Sequence, residues 1–173
     1  MGRSGAVTFK GKPMTLAGSA VQVGQPAPAF TLHSFGPDGL RAWTLDDLKG
    51  KPAIISVVPS LDTPVCAKQT KRFNDELAAL GDTIHALTVS LDLPFAMNRF
   101  CGAESIKNLK VASDYQTRSF GENWGMLIEE LKILARGVFI LDRDGKVVYA
   151  ESVKEVAEEP NYDAAMAALK RLI

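Results

Sequence analysis

The run Ala53-Ile54-Ile55-Ser56-Val57-Val58 is almost continuously apolar and rich in β-branched residues, the pattern of a buried strand. Beyond it the period changes. Val65, Phe73, Leu77 and Leu80 recur at spacings of eight, four and three, which puts one apolar face along a helix that Gly81 ends. Lys68, Lys71 and Arg72 fall largely on the opposite side. Thr83 to Ser90 returns to strand-like alternation, and two strands joined through a helix form a right-handed parallel unit. The expected core is therefore an open α/β sheet.

Weaker patterns flank this centre. Val7 to Lys10 and Met14 to Leu16 surround Gly11-Lys12-Pro13, a hairpin expected on the outside of the domain. Pro26 and Pro28 favour an extended entry into a short strand near Phe30 to Leu32, which a turn at Gly36-Pro37-Asp38-Gly39 interrupts. Thr44 to Leu48 reads as one capped helical turn, stopped by Gly50 and Pro52. Asp92-Leu93-Pro94 opens a second short helix that Phe100-Cys101-Gly102 closes. Between Lys107 and Leu134 the pattern is least legible, with a short strand at Val111-Ala112 and helical fragments from Ser119 to Trp124. Two apolar runs around Asp142-Arg143-Asp144-Gly145 predict an antiparallel hairpin, and Tyr162 to Ile173 predicts an amphipathic closing helix.

These elements set Cys66 at a strand-to-helix junction. With Thr63 as N-cap, Pro64 takes the first helical position, where its missing N–H costs nothing, and Cys66 lies three residues past the cap. Free backbone N–H groups and the positive end of the helix favour thiolate over thiol there. Cys66 is thus a candidate nucleophile. The alternative is a small hydrophobe beside a buried strand, and the capped junction tips the balance against it.

Composition acts mainly by exclusion. Twenty Lys plus Arg offset twenty Asp plus Glu with no long like-charge run, so the footprint needed for nucleic acid or an anionic membrane is missing. No apolar stretch reaches membrane-spanning length, and Met1 to Leu16 has no apolar core of signal-peptide length, which makes the cytoplasm the expected location. At 173 residues the chain is expected to fold as one domain, residues 1–173. In a reducing compartment a cysteine pair points to catalysis or redox activity rather than to a structural bridge.

Cys101 follows Cys66 by 35 residues and lies at a predicted helix end, where the electrostatic setting is reversed and favours thiol. That contrast suits a sensitive nucleophile and a second thiol that reacts afterwards. A sulfenic acid on Cys66 can condense with Cys101 to a disulfide. The bond needs Cα atoms within about 7 Å. Helices that hold the sulfurs farther apart would require Thr63 to Lys68 to unwind on oxidation. The alternative for Cys101 is a buried helix-end residue.

Other chemistries fit less well. No second cysteine stands within three residues of Cys66, as a dithiol motif requires, and His33 and His85 fall in strand positions without the signature of a catalytic base. Two scattered histidines and two isolated cysteines make a poor zinc site. From the residues alone, a peroxide-sensing switch and an inert binding module stay open beside an enzyme.

Pro59-x-x-x-Thr63-x-x-Cys66 at a strand-to-helix junction resembles the active-site motif of the peroxiredoxins. Ser60 to Cys66, Asp92-Leu93-Pro94-Phe95-Ala96 and Arg99 to Glu104 together resemble their bacterial thiol peroxidase branch, as do Leu134-Ala135-Arg136 and Glu159-Pro160-x-Tyr162. The likeness spans nearly the whole chain. It implies a thioredoxin-like α/β fold, with a central mixed sheet flanked by helices and an N-terminal β-hairpin. It implies further that Cys66 is the peroxidatic and Cys101 the resolving cysteine of one subunit, with Pro59, Thr63 and Arg136 completing the peroxide site. No metal or organic cofactor is implied. Hydrogen peroxide and alkyl hydroperoxides are the implied substrates, thioredoxin the reductant and a homodimer the assembly. Gly137 departs from the branch, which tends to carry alanine there, and is expected to loosen the start of its strand.

Overall fold

All five residues of Ala53–Val57 are buried, and alternate side chains enter two different cores. The computed structural model describes residues 1–173. In chain order it contains β1 (Arg3–Phe9), β2 (Lys12–Leu16), β3 (Thr31–Gly36), β4 (Gly39–Thr44), β5 (Ala53–Val57), α1 (Pro64–Glu76), β6 (His85–Ser90), α2 (Pro94–Ala103), β7 (Lys110–Ser113), α3 (Ser119–Asn123), β8 (Leu127–Ile128), β9 (Ile133–Leu134), β10 (Gly137–Leu141), β11 (Val147–Ser152) and α4 (Tyr162–Lys170). Seven strands form the main sheet in the order β11-β10-β5-β6-β7-β3-β4. β5, β6 and β7 are parallel, and β10 lies antiparallel to β5. The sheet is therefore mixed, as expected.

The period-two alternation of β5 and β10 divides the interior. Ile54, Val138 and Ile140 face Phe73 of α1, Leu77 at its C-cap, and Tyr162, Met166 and Leu169 of α4. Ile55, Val57, Phe139 and Leu141 face the other way, towards an aromatic group of Phe30, Phe120 and Trp124. Burying such side chains contributes about 1.5–3 kcal/mol each.

Several sequence expectations change. The N-terminal hairpin is present but not peripheral, because β2 continues through β8 and β9 into a four-stranded sheet and Val7, Met14 and Leu16 enter the larger core. The turn at Gly36 to Gly39 ends β3, which is longer than expected, and leads into β4, an edge strand whose residues are mostly exposed. Leu77 caps α1, so Leu80 belongs to a following 3-10 turn region, and β6 begins at His85. Helix α2 runs through Gly102 to Ala103, with Ser105 rather than a glycine taking a positive φ of 56° after it.

Gly137 also reads differently in three dimensions. A Cβ there would lie 2.4 Å from the Glu151 carbonyl oxygen, so the absent side chain lets β11 close tightly on β10. The strand start is packed, not loosened.

Candidate active site

Cys66 stands at the carboxyl edge of the parallel strands, where open α/β sheets place their reactive groups. β5 ends at Val57, the chain passes through buried Pro59 and the loop Ser60 to Thr63, and α1 begins at Pro64. Thr63 has the extended backbone of an N-cap, but its hydroxyl caps no backbone N–H. It lies instead 2.7 Å from the Ser60 carbonyl oxygen and 2.9 Å from Cys66 Sγ. One proton serves both partners. With the sulfur anionic the hydroxyl donates to it; with the sulfur protonated the hydroxyl donates to Ser60 and accepts from the thiol.

Arg136 arrives from the other side. β10 is antiparallel to β5 with Gly137 opposite Val57, so the residue before β10 falls beside the carboxyl end of β5. The Arg136 guanidinium is 2 % exposed and donates from Nε to the Val156 carbonyl at 2.8 Å, from Nη1 to Gln69 Oε1 at 2.9 Å and from Nη2 to Cys66 Sγ at 3.3 Å. No carboxylate lies within 4.0 Å of it to form an ion pair. The sulfur is the one ionisable acceptor among its partners. Gln69 is itself fully buried and donates to Ser56 Oγ at 2.8 Å, which orients its carbonyl towards Arg136.

Cys66 is sealed from solvent in a small apolar group with Val58, Leu61 and Met97. The loop above it is fastened by Asp92, which accepts from Ser60 Oγ at 2.7 Å, from Leu61 N at 2.8 Å and from Ser90 Oγ at 2.6 Å. A cavity of about 590 Å³ opens on the outer side of this loop, lined by Ser60, Asp62, Arg99 and Phe100.

Cys101 does not join this cluster. Both cysteines are free, and Cys101 lies half-buried on the last turn of α2, against the group containing Ile106 and Leu109. Burial pushes its thiol up to about 11, with the nearby Lys110 charge acting in the opposite direction. The sequence reading expected thiol there from the helix end, and the stronger cause is desolvation. Thr63, Cys66 and Arg136 are thus brought together, Pro59 is buried in the loop that leads to them, and Cys101 stands apart. Gln69 and the clamp formed by Asp92 were not singled out as site residues. A buried-face glutamine within one turn of Cys66 was the only available signal.

Hydrogen-bond donors converging on one cysteine sulfur at the edge of such a sheet define a thioredoxin-fold, thiol-based oxidoreductase. The chain belongs to the Redoxin family, whose model matches residues 22–166, and within it to the thiol peroxidase branch of the peroxiredoxins. It is 51 % identical to the thiol peroxidase of Bacillus subtilis, over 96 % of this chain and 98 % of that one. It is 48 % identical to the thiol peroxidase of Streptococcus pneumoniae, over 96 % and 99 %. A peroxiredoxin-like protein from Aquifex aeolicus superposes with a TM-score of 0.90 at 42 % identity, covering 99 % of this chain and 98 % of that one. No helix is long and apolar enough to cross a membrane.

Proposed function

We propose that the protein reduces hydrogen peroxide and alkyl hydroperoxides with Cys66 as the peroxidatic and Cys101 as the resolving cysteine. The observation that carries this reading is the buried Arg136 guanidinium, whose sole ionisable hydrogen-bond partner is Cys66 Sγ at 3.3 Å. A buried cation without a carboxylate is balanced best by an anionic sulfur.

The Cys66 thiolate attacks the terminal peroxide oxygen. The S–O bond forms as the O–O bond breaks, leaving Cys66 as sulfenic acid and the departing oxygen as hydroxide or alkoxide, which takes a proton to become water or alcohol. Arg136 and the Thr63 hydroxyl are the donors available to the oxygens as negative charge moves onto the leaving group. Pro59 walls off water behind the sulfur. The Cys101 thiol then attacks the sulfenic sulfur, expelling water and closing an intramolecular disulfide. The separate settings of the two cysteines support a step in which the first turn of α1 unwinds from Thr63 to Lys68 before the sulfurs meet. Thioredoxin reduces the disulfide, returning both thiols without a metal or organic cofactor. This reading places the enzyme in the cytoplasm as a homodimer, in keeping with the branch it resembles.

Replacement of the two cysteines tests the assignment. In a thioredoxin-coupled peroxide assay, Cys66→Ser is expected to abolish turnover, and Cys101→Ser to consume about one equivalent of peroxide and then stop. Undiminished steady-state turnover in either variant would contradict it.

A further inference from the structure

Cys101 opens onto a cleft of about 580 Å³, and the charges around that cleft are one-sided. Phe35 and Trp43 form its aromatic wall, from the β3–β4 hairpin. Lys107 and Lys110 form the facing rim, both exposed and neither within 4.0 Å of a carboxylate. The Arg41 guanidinium sits over the Trp43 ring, its carbon 4.0 Å from the ring centre, and is tied to Asp47. The basic surface continues into an adjoining cavity of about 330 Å³, which shares Trp43, Lys107 and Lys110 and adds Lys51. Asp38 and Asp82 are the acidic groups lining the two cavities. Since the chain carries twenty basic and twenty acidic residues, this concentration is local and not a reflection of net charge.

We propose, building on the peroxidase reading, that this cleft is where the reductant docks, and that it selects a dithiol protein whose reactive cysteines are rimmed by acidic residues. The cleft is framed by β3, β4, the α2 residues Asn98 and Cys101, and residues 106–111, none of them in the α1 turn that carries Cys66, so its walls do not depend on that turn. The reductant's thiolate attacks Cys101 Sγ, breaking the Cys66–Cys101 bond and forming a mixed disulfide with Cys101. Cys66 leaves as thiolate, and refolding of the α1 turn returns it to the Arg136 and Thr63 donors. The second thiol of the reductant, as thiolate, then attacks its own partner sulfur and releases Cys101, which takes up a proton. Two electrons pass to the enzyme and the reductant ends as a disulfide. The direction of attack follows from access, because Cys101 is the sulfur that lines the cleft.

The test begins with the disulfide formed by one equivalent of hydrogen peroxide. Its reduction by thioredoxin and by dithiothreitol is followed at several salt concentrations, in wild type and in a Lys107→Glu, Lys110→Glu double variant. A Lys12→Glu, Lys132→Glu variant carries the same change of net charge on the four-stranded sheet. Charged rims act mainly on association rate. Expected is a loss of about tenfold or more in the thioredoxin rate of the cleft variant at low salt, with a flattened salt dependence. The dithiothreitol rate should hold, and the remote variant should behave as wild type. Equal thioredoxin rates in the cleft variant and wild type would overturn the docking proposal and leave the peroxidase reading standing. A cleft variant slowed equally towards both reductants, or a salt-dependent dimer lost in it, would also overturn the docking proposal. Failure of peroxide to form the disulfide would overturn both.

Discussion

Arg136 carries a full charge into an interior that offers it two neutral oxygens and a sulfur. Removing one partner of such a buried arrangement costs several kcal/mol, since the remaining polar groups lose their compensation. Arg136→Met should therefore slow the reaction of Cys66 with peroxide by about 10²–10³, the loss typical of a donor aimed at developing charge. Arg136→Lys keeps the charge but gives up the fork that reaches Gln69 and Cys66 together, and should fall between. Rapid-mixing oxidation rates alongside denaturant titrations check this, and an unaltered rate in Arg136→Met would contradict it. Residues differ in how far the sequence reveals them. Cys66 and Thr63 were legible because their setting is local: a strand, a proline and a helix start. Arg136 was found through family resemblance alone, because its contact with Cys66 spans 70 positions. Gln69 carried only its place on the buried face of α1, since a polar residue on a helix face declares its partner only after β10 is in place.

At the scale of elements, the loop before α1 is held by a neighbour rather than by its own residues. Asp92, in the link between β6 and α2, gathers Ser60, Leu61 and Ser90 and so couples the cysteine-bearing loop to the start of α2. Asp92→Ala removes these bonds and should destabilise the reduced protein by about 1–3 kcal/mol. The same change should raise amide exchange across residues 60–66 and slow Cys66 oxidation, because Thr63 is no longer fixed against the sulfur. Unchanged exchange there would show that the loop is held by packing alone. The main sheet's central strands and α1 were readable from periodicity, since they are long and buried on defined faces. β8 and β9 have two residues each, too few to express a period, and β4 is an exposed edge strand without an apolar face.

Across the whole molecule, Asp114 is a titrating group outside the hydrogen-bonded cluster around Cys66. It is fully buried beyond β7, where burial raises its carboxyl from 3.8 to about 6 while N–H bonds from Gly121 and Phe120 oppose the rise. The folded state holds this proton where the unfolded chain has released it. Its stabilising contribution is thus complete below about 3.8 and is lost as pH rises through about 6. Carboxyl carbon shifts should show an Asp114 midpoint near 6, and a midpoint near 4 would contradict the buried setting. The same scale explains why the N-terminal hairpin was misplaced by pattern reading. Val7, Met14 and Leu16 alternate as any half-exposed hairpin would, and only the pairing of Leu16 with Ile128 draws them into the core.

The most direct measurement is a stopped-flow reaction of the fully reduced protein with hydrogen peroxide and with an alkyl hydroperoxide, followed by mass analysis of the product. Expected is oxidation far faster than that of a small free thiol, yielding one disulfide between Cys66 and Cys101 within a single chain. Oxidation no faster than a free thiol, or a product without that bond, would contradict the assignment of Cys66 and Cys101.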